Sequence, residues 1–178
     1  MKMGKIIGIA ALAVVIILGI VIAIQPPHAH IEESIVIDAP PAAIFPEVSN
    51  YKNFVLWSPW NKMDPQVKQT FEGDPGTVGS KMNWDGPKTG KGSQRIVELV
   101  ENKSVKSVME FDGMAGEFQS EFILSPDEEG TLVTWTYDGP NDGIGAKAVW
   151  IFMGSMLSSQ YNQGLQDLKE LVEQKTKQ

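Results

Sequence analysis

Four glutamates, Glu98, Glu110, Glu117 and Glu121, fall in stretches that read as β-strand. A carboxylate turned into an apolar cavity has a raised pKa and can shuttle protons, so these residues are the candidates for acid–base chemistry. Strand alternation argues for the solvent face instead, because Glu117 and Glu121 share a face only with each other, Gln119 and Ile123. The only histidines, His28 and His30, have a spacing that suits a metal clamp. They sit in a spacer with no carboxylate or cysteine beside them in sequence, so no metal site and no histidine-centred triad is expected. The chain has no cysteine, which excludes disulfides, thiolate metal sites and cysteine nucleophiles. Arg95, the sole arginine, is suited either to an anionic head group or to a surface ion pair. The glycine-rich run Asp138 to Gly145 lacks the lysine and hydroxyl residue of a phosphate loop and reads as a connection or a gate. No motif calls for a cofactor.

A second set of residues is apolar. Trp57 and Trp60 flank Ser58-Pro59 and serve either as a stacking lid or as packing for short helices. Met82, Trp84, Met109, Phe111, Phe118, Phe122, Trp135, Trp150, Met153 and Met156 either fill a core or line an apolar pocket. The methionines favour the pocket, since this side chain adapts to irregular and promiscuous surfaces.

The elements that position these residues follow from periodicity. Ile31 to Asp38 reads as a first strand, ended by Asp38-Ala39-Pro40-Pro41, which also opens a helix carrying Ile44, Phe45 and Val48. A second helical turn covers Asn50 to Leu56 and stops at Ser58-Pro59. Strands are predicted near 66–72, 80–85, 93–101, 104–111, 117–124 and 131–137, separated by turn residues as in an antiparallel meander. From Ala146 to about Gln174, Trp150, Met153, Leu157, Tyr161, Gly164, Leu168 and Leu171 recur at helical spacing. One long helix against a run of strands is an α+β pattern.

Residues 1–27 are a different material. Ile6 to Ile24 is a run of 19 residues without a charged or strongly polar side chain. At roughly 1.5 Å per residue it matches the ~30 Å hydrocarbon core of a bilayer. It reads as a transmembrane anchor, with a cleaved signal peptide as the alternative. Lys2 and Lys5 precede it and no lysine or arginine follows before Lys52, so the N-terminus is expected in the cytoplasm and the domain outside. Gln25-Pro26-Pro27 is a stiff spacer, and 28–178 is a single domain. Setting aside Lys2 and Lys5, that domain has 13 basic against 22 acidic residues, a formal charge of −9. Binding of nucleic acid through bulk charge is thereby excluded.

Residues Ile35 to Trp60 (IVIDAPPAAIFPEVSNYKNFVLWSPW), the Gly79 to Gly86 strand with Trp84, Gly130 to Trp135 and Gly164 to Lys169 resemble the START-related or SRPBCC superfamily, and within it the polyketide cyclase/dehydrase-like group. The resemblance runs from Ile31 to Glu173. It implies a helix-grip fold, in which a curved antiparallel sheet wraps a long C-terminal helix. It further implies a cavity for lipids, sterols, polyketides or other hydrophobic molecules. Fold alone does not fix activity. The expectation is a membrane-anchored binder of a hydrophobic small molecule or lipid. The rivals are a cyclase or dehydratase, which needs an inward carboxylate, and an envelope protein-interaction domain with a filled core.

Overall fold

A computed structural model describes residues 2–177. An apolar helix, α1 (Lys2–Ala23), is followed by strand β1 (His28–Ile37) and three short helices, α2 (Pro41–Ser49), α3 (Tyr51–Trp57) and α4 (Pro59–Met63). Six strands follow: β2 (Lys68–Glu72), β3 (Lys81–Gly86), β4 (Gly90–Val100), β5 (Ser104–Phe111), β6 (Phe118–Asp127) and β7 (Gly130–Pro140). The chain then forms one long helix, α5 (Gly143–Thr176). The strands form a seven-stranded sheet in the order β1-β7-β6-β5-β4-β3-β2, antiparallel throughout. This is the expected α+β helix-grip architecture.

Local chemistry explains the helix boundaries. Pro41 opens α2 and Pro59 opens α4, positions where the missing N–H is no loss. The Asn50 side chain caps α3 by accepting from the Lys52 N–H at 3.0 Å. Ser58-Pro59 ends α3 as expected, but it also starts α4, a helix that periodicity alone did not predict. The β4 ladder shifts register between Ile96 and Glu98, and such a bulge bends a strand and increases its twist.

Two further expectations are corrected. His28 and His30 are ladder residues of β1, not spacer, and Asp138 of β7 lies beside them: its Oδ1 is 3.1 Å from His28 Nε2 and 2.8 Å from His30 Nδ1. The glycine-rich loop shrinks to Asn141 and Asp142, because β7 runs on to Pro140 and α5 begins at Gly143.

The core lies between the concave face of the sheet and the C-terminal half of α5, where Tyr161, Gly164, Leu165, Leu168 and Val172 are buried. Close packing here depends on Gly164. A Cβ at that position would lie 2.9 Å from the Trp135 ring and 3.0 Å from Pro59 Cδ, so only glycine lets the helix approach both. Polar ties hold the same half. The Lys62 ammonium pairs with Asp167 at 2.7 Å, the Lys169 ammonium donates to the Val36 carbonyl at 2.8 Å, and Lys175 pairs with Glu47 at 2.9 Å.

Met3 to Ala23 is long and apolar enough to cross a membrane. Its described side chains are exposed apart from Ile22, which is half-buried.

Candidate ligand-binding cavity

The sheet register assembles the cavity wall in rows. Strand pairing places Met82 beside Gln94, Gln94 beside Met109 and Met109 beside Phe118. One row over, Trp84 lies beside Gly92 and Gly92 beside Phe111. A Cβ on Gly92 would come within 2.3 Å of the Trp84 ring, so the glycine lets the indole lie flat across β4. A third row joins Ser107, Ser120 and Tyr137.

Over these rows lies a cavity of about 290 Å³. From the sheet it is lined by Met82, Trp84, Gln94, Met109, Phe111, Ser120, Trp135 and Tyr137. The short helices contribute Phe54, Trp60 and Met63, and α5 contributes Trp150, Met153, Met156, Leu157 and Tyr161. The volume is about twice the roughly 150 Å³ of an engineered apolar cavity that holds benzene.

Most residues expected to line a pocket do so: Trp60, Met82, Trp84, Met109, Phe111, Trp135, Trp150, Met153 and Met156. Trp57, Phe118 and Phe122 lie outside the lining. Trp57 is packed beneath the cavity, its indole N–H donating to the Glu47 carbonyl at 3.1 Å and its ring 4.9 Å from Phe54. It therefore fastens the short helices to the sheet and is not a lid. Phe122 is stacked on Trp135 at 4.8 Å with an angle of 26°, behind the wall. Phe118 sits between Phe111 at 5.1 Å and Tyr137 at 6.3 Å, backing the lining without joining it.

The polar members of the wall were not foreseen. Gln94 lies between two methionines, and Ser120 accepts the Trp135 indole N–H at 2.8 Å. Tyr161 is stacked on Trp135 at 3.8 Å and 14°. At one edge Asn61 donates to the Val55 carbonyl and accepts from Gln69, both at 2.7 Å, which satisfies that corner internally. Tyr161 belonged to the helical stripe in the sequence, but nothing there distinguished a wall residue from a core one.

No carboxylate is among the residues lining this cavity. Glu98, Glu110 and Glu117 are exposed and Glu121 is half-buried on the opposite face of β6. Arg95 is exposed on β4, also away from the lining. Among the described residues no group of three or more His, Cys, Asp or Glu side chains converges as metal ligands would. Asp64 is structural. Burial alone would raise its pKa, but the Lys88 and Thr89 N–H groups and the Thr89 hydroxyl donate to Oδ2 at 2.8, 3.0 and 3.1 Å and hold the carboxyl below the usual range. Its ionised form thereby clamps the β3–β4 hairpin to the end of α4.

The phenols behave oppositely. Burial pushes Tyr51 up despite its bond with Ser107 at 3.0 Å, and burial likewise pushes Tyr161 up. Burial, aided by the Asp138 charge, raises Tyr137 to about 12. Because the folded pKa values exceed the unfolded value of about 10, their contribution to stability is complete below pH ~10 and is lost as pH rises through the folded values. We expect the urea midpoint of the domain to be flat from pH 8 to about 10 and to fall between pH 10 and 12; an unchanged midpoint over that second interval would refute the assignment.

A family model described as "Polyketide cyclase / dehydrase and lipid transport" matches residues 28–173. The chain belongs to that family. No curated protein matches it in sequence. Solved structures share the fold at low identity. Protein SA2116 of unknown function from Staphylococcus aureus aligns with a TM-score of 0.65 and 15% identity over 85% of this chain and 97% of its own. Protein CV1439 from Chromobacterium violaceum aligns at 0.57 and 21%, over 82% and 98%. DynU16, a putative protein in the dynemicin biosynthetic locus, aligns at 0.57 and 15%, over 84% of this chain and 48% of its own. In the first two the shared fold spans nearly the whole of the solved chain.

Proposed function

We propose that this chain is a membrane-anchored domain that binds a hydrophobic small molecule or lipid without changing it chemically. The observation that carries this reading is the 290 Å³ cavity, walled by methionine and aromatic side chains. Ligand sites are typically concave and mostly apolar, with a few polar groups that fix orientation. Polar groups of the lining that can orient a polar end include Gln94, Ser120, Lys88 and the hydroxyls of Tyr137 and Tyr161. The volume suits a one- or two-ring molecule or a short acyl segment.

Binding is favoured over cyclase or dehydratase chemistry because proton transfer near neutral pH needs a group that titrates there. The lining has no carboxylate, and its phenols are shifted away from neutrality. An open cavity also argues against a filled-core interaction domain. The proposed anchor is α1, with its lysine-flanked end in the cytoplasm and the domain outside, by the excess of positive charge before the span.

Native mass spectrometry and solvent extraction of the domain from Gln25 onward test the binding reading. A stoichiometric co-purified apolar molecule, or a mass shift on exposure to a panel of lipids and ring compounds, is the expected result. An apo mass that stays unshifted across the panel would sink it.

A further inference from the structure

The first four turns of α5, Gly143 to Leu157, present side chains unsuited to a helix in water. Ile144 is 77% exposed and Phe152 78%, with Val149 at 54% and Met156 at 46%. At 3.6 residues per turn these four fall within an arc of about 140°, while Trp150, Met153 and Leu157 turn toward the cavity beside it. The fully buried residues of α5 begin only at Tyr161, and its tertiary polar ties begin at Ser158, whose hydroxyl donates to Glu33. No acidic residue occurs from Gly143 to Gln166 in a chain that has 22, and Lys147 is the one charge in this stretch.

The fold holds this surface beside the exit of α1. The Asn141 side-chain amide donates to the Pro26 carbonyl at 3.0 Å, and the Asn141 N–H donates to the Pro27 carbonyl at 2.8 Å. From Ala23, the last residue of α1, to Pro26 the backbone reaches at most about 10 Å. α5 starts two residues beyond Asn141. Met114, 57% exposed and lining the cavity, lies at the same end, since its loop packs Gly116 against Pro140.

The geometry points to a bilayer-docking surface: the outer face of α5 from Ile144 to Met156 lies in the headgroup–acyl boundary of the membrane that α1 crosses. Interfacial helices of this kind bury an apolar face to about 5–10 Å, within the reach of the tether. The absence of acids keeps this face free of the repulsion that the acidic remainder of the domain meets at an anionic leaflet, and Lys147 extends its ammonium to the phosphates. With the face seated, Trp150, Met153 and Met156 form a cavity wall against lipid, and an apolar molecule enters from the bilayer without crossing water. This inference rests on the reading of α1 as a retained anchor.

The chain is free of cysteine, so single reporters can be placed cleanly. The full chain is reconstituted in phosphatidylcholine–phosphatidylglycerol vesicles with an environment-sensitive fluorophore at Phe152→Cys, Gln166→Cys or Ile16→Cys. Lipids carrying an acyl-chain quencher should quench the Phe152 and Ile16 probes at least threefold more than the Gln166 probe, and aqueous iodide should show the reverse order. Iodide access at Phe152 together with lipid quenching at Ile16 overturns the docking surface while leaving the anchor intact. A Phe152 probe shielded from both quenchers identifies a second copy of the chain as the cover and also overturns it. Loss of lipid quenching at Ile16 overturns the anchor, and the docking proposal with it.

Discussion

Replacing Trp135 with alanine should destabilise the domain by about 3–5 kcal/mol, the usual range for truncating a buried aromatic residue. The residue is 2% exposed and joins almost every part of the core. Its ring stacks on Tyr161 of α5 and Phe122 of β6, and meets the edges of Phe54 at 6.0 Å and Trp57 at 5.7 Å on α3. Truncation would therefore detach the long helix, the sheet and the short helices from one another at a single point. It would also merge the new void with the existing cavity. Domains of this size are stable by roughly 5–15 kcal/mol, so a large share of that margin is at stake. Trp135→Phe keeps most of the stacking and removes the indole N–H bond to Ser120, which should cost only about 1 kcal/mol. Urea unfolding followed by near-ultraviolet circular dichroism on the domain from Gln25 onward measures both. An alanine variant within about 0.5 kcal/mol of the parent would show that the aromatic cluster is not the keystone described here.

Filling the cavity should abolish ligand capture while the fold survives. Met109 is 8% exposed, lies on β5 beside Gln94, and directs its side chain into the void. Met109→Trp adds a rigid ring in that space. Overpacking ordinarily costs about 1–3 kcal/mol, but here empty volume is available to receive the added atoms. Affinity for an apolar fluorescent probe should fall tenfold or more, equivalent to about 1.4 kcal/mol or greater. Glu98→Gln, on the exposed side of β4, should leave it unchanged. Equal affinities in the Met109→Trp variant and the parent would place the probe elsewhere on the molecule.

The fold was legible because its signals are local. β5 follows from alternation alone and spans Ser104–Phe111 as expected, and the helical stretch expected from Ala146 to about Gln174 marks α5, Gly143–Thr176, within a few residues of its ends. α4 was not legible, because a five-residue helix starting at a proline has no periodicity to detect. The cavity was legible by residue type and only partly by position. Met82, Met109 and Trp84 carry the signal of adaptable or bulky side chains on an inward face. Gln94 carries none until the register sets it between two methionines on neighbouring strands. Trp57 stayed ambiguous in the sequence for a related reason. Its place beside Ser58-Pro59 allows either a lid or packing, and contacts with residues far away in the chain, Phe122 and Trp135, decide for packing. The proximity of Asp138 to both histidines is likewise a product of strand pairing over more than 100 residues.

The grip of the sheet on α5 covers only half of the helix, and this has a kinetic meaning. Local opening costs least where few apolar contacts and tertiary hydrogen bonds must be broken. Amide protons from Ala146 to Leu157 should exchange with solvent deuterium through small openings of low free energy, while those around Leu165 and Leu168 exchange only when the whole domain unfolds. The cavity's movable wall and its permanent wall are thus two segments of one helix, and a guest can be admitted or released at a rate set by the fraying of the first segment, with the fold intact behind it.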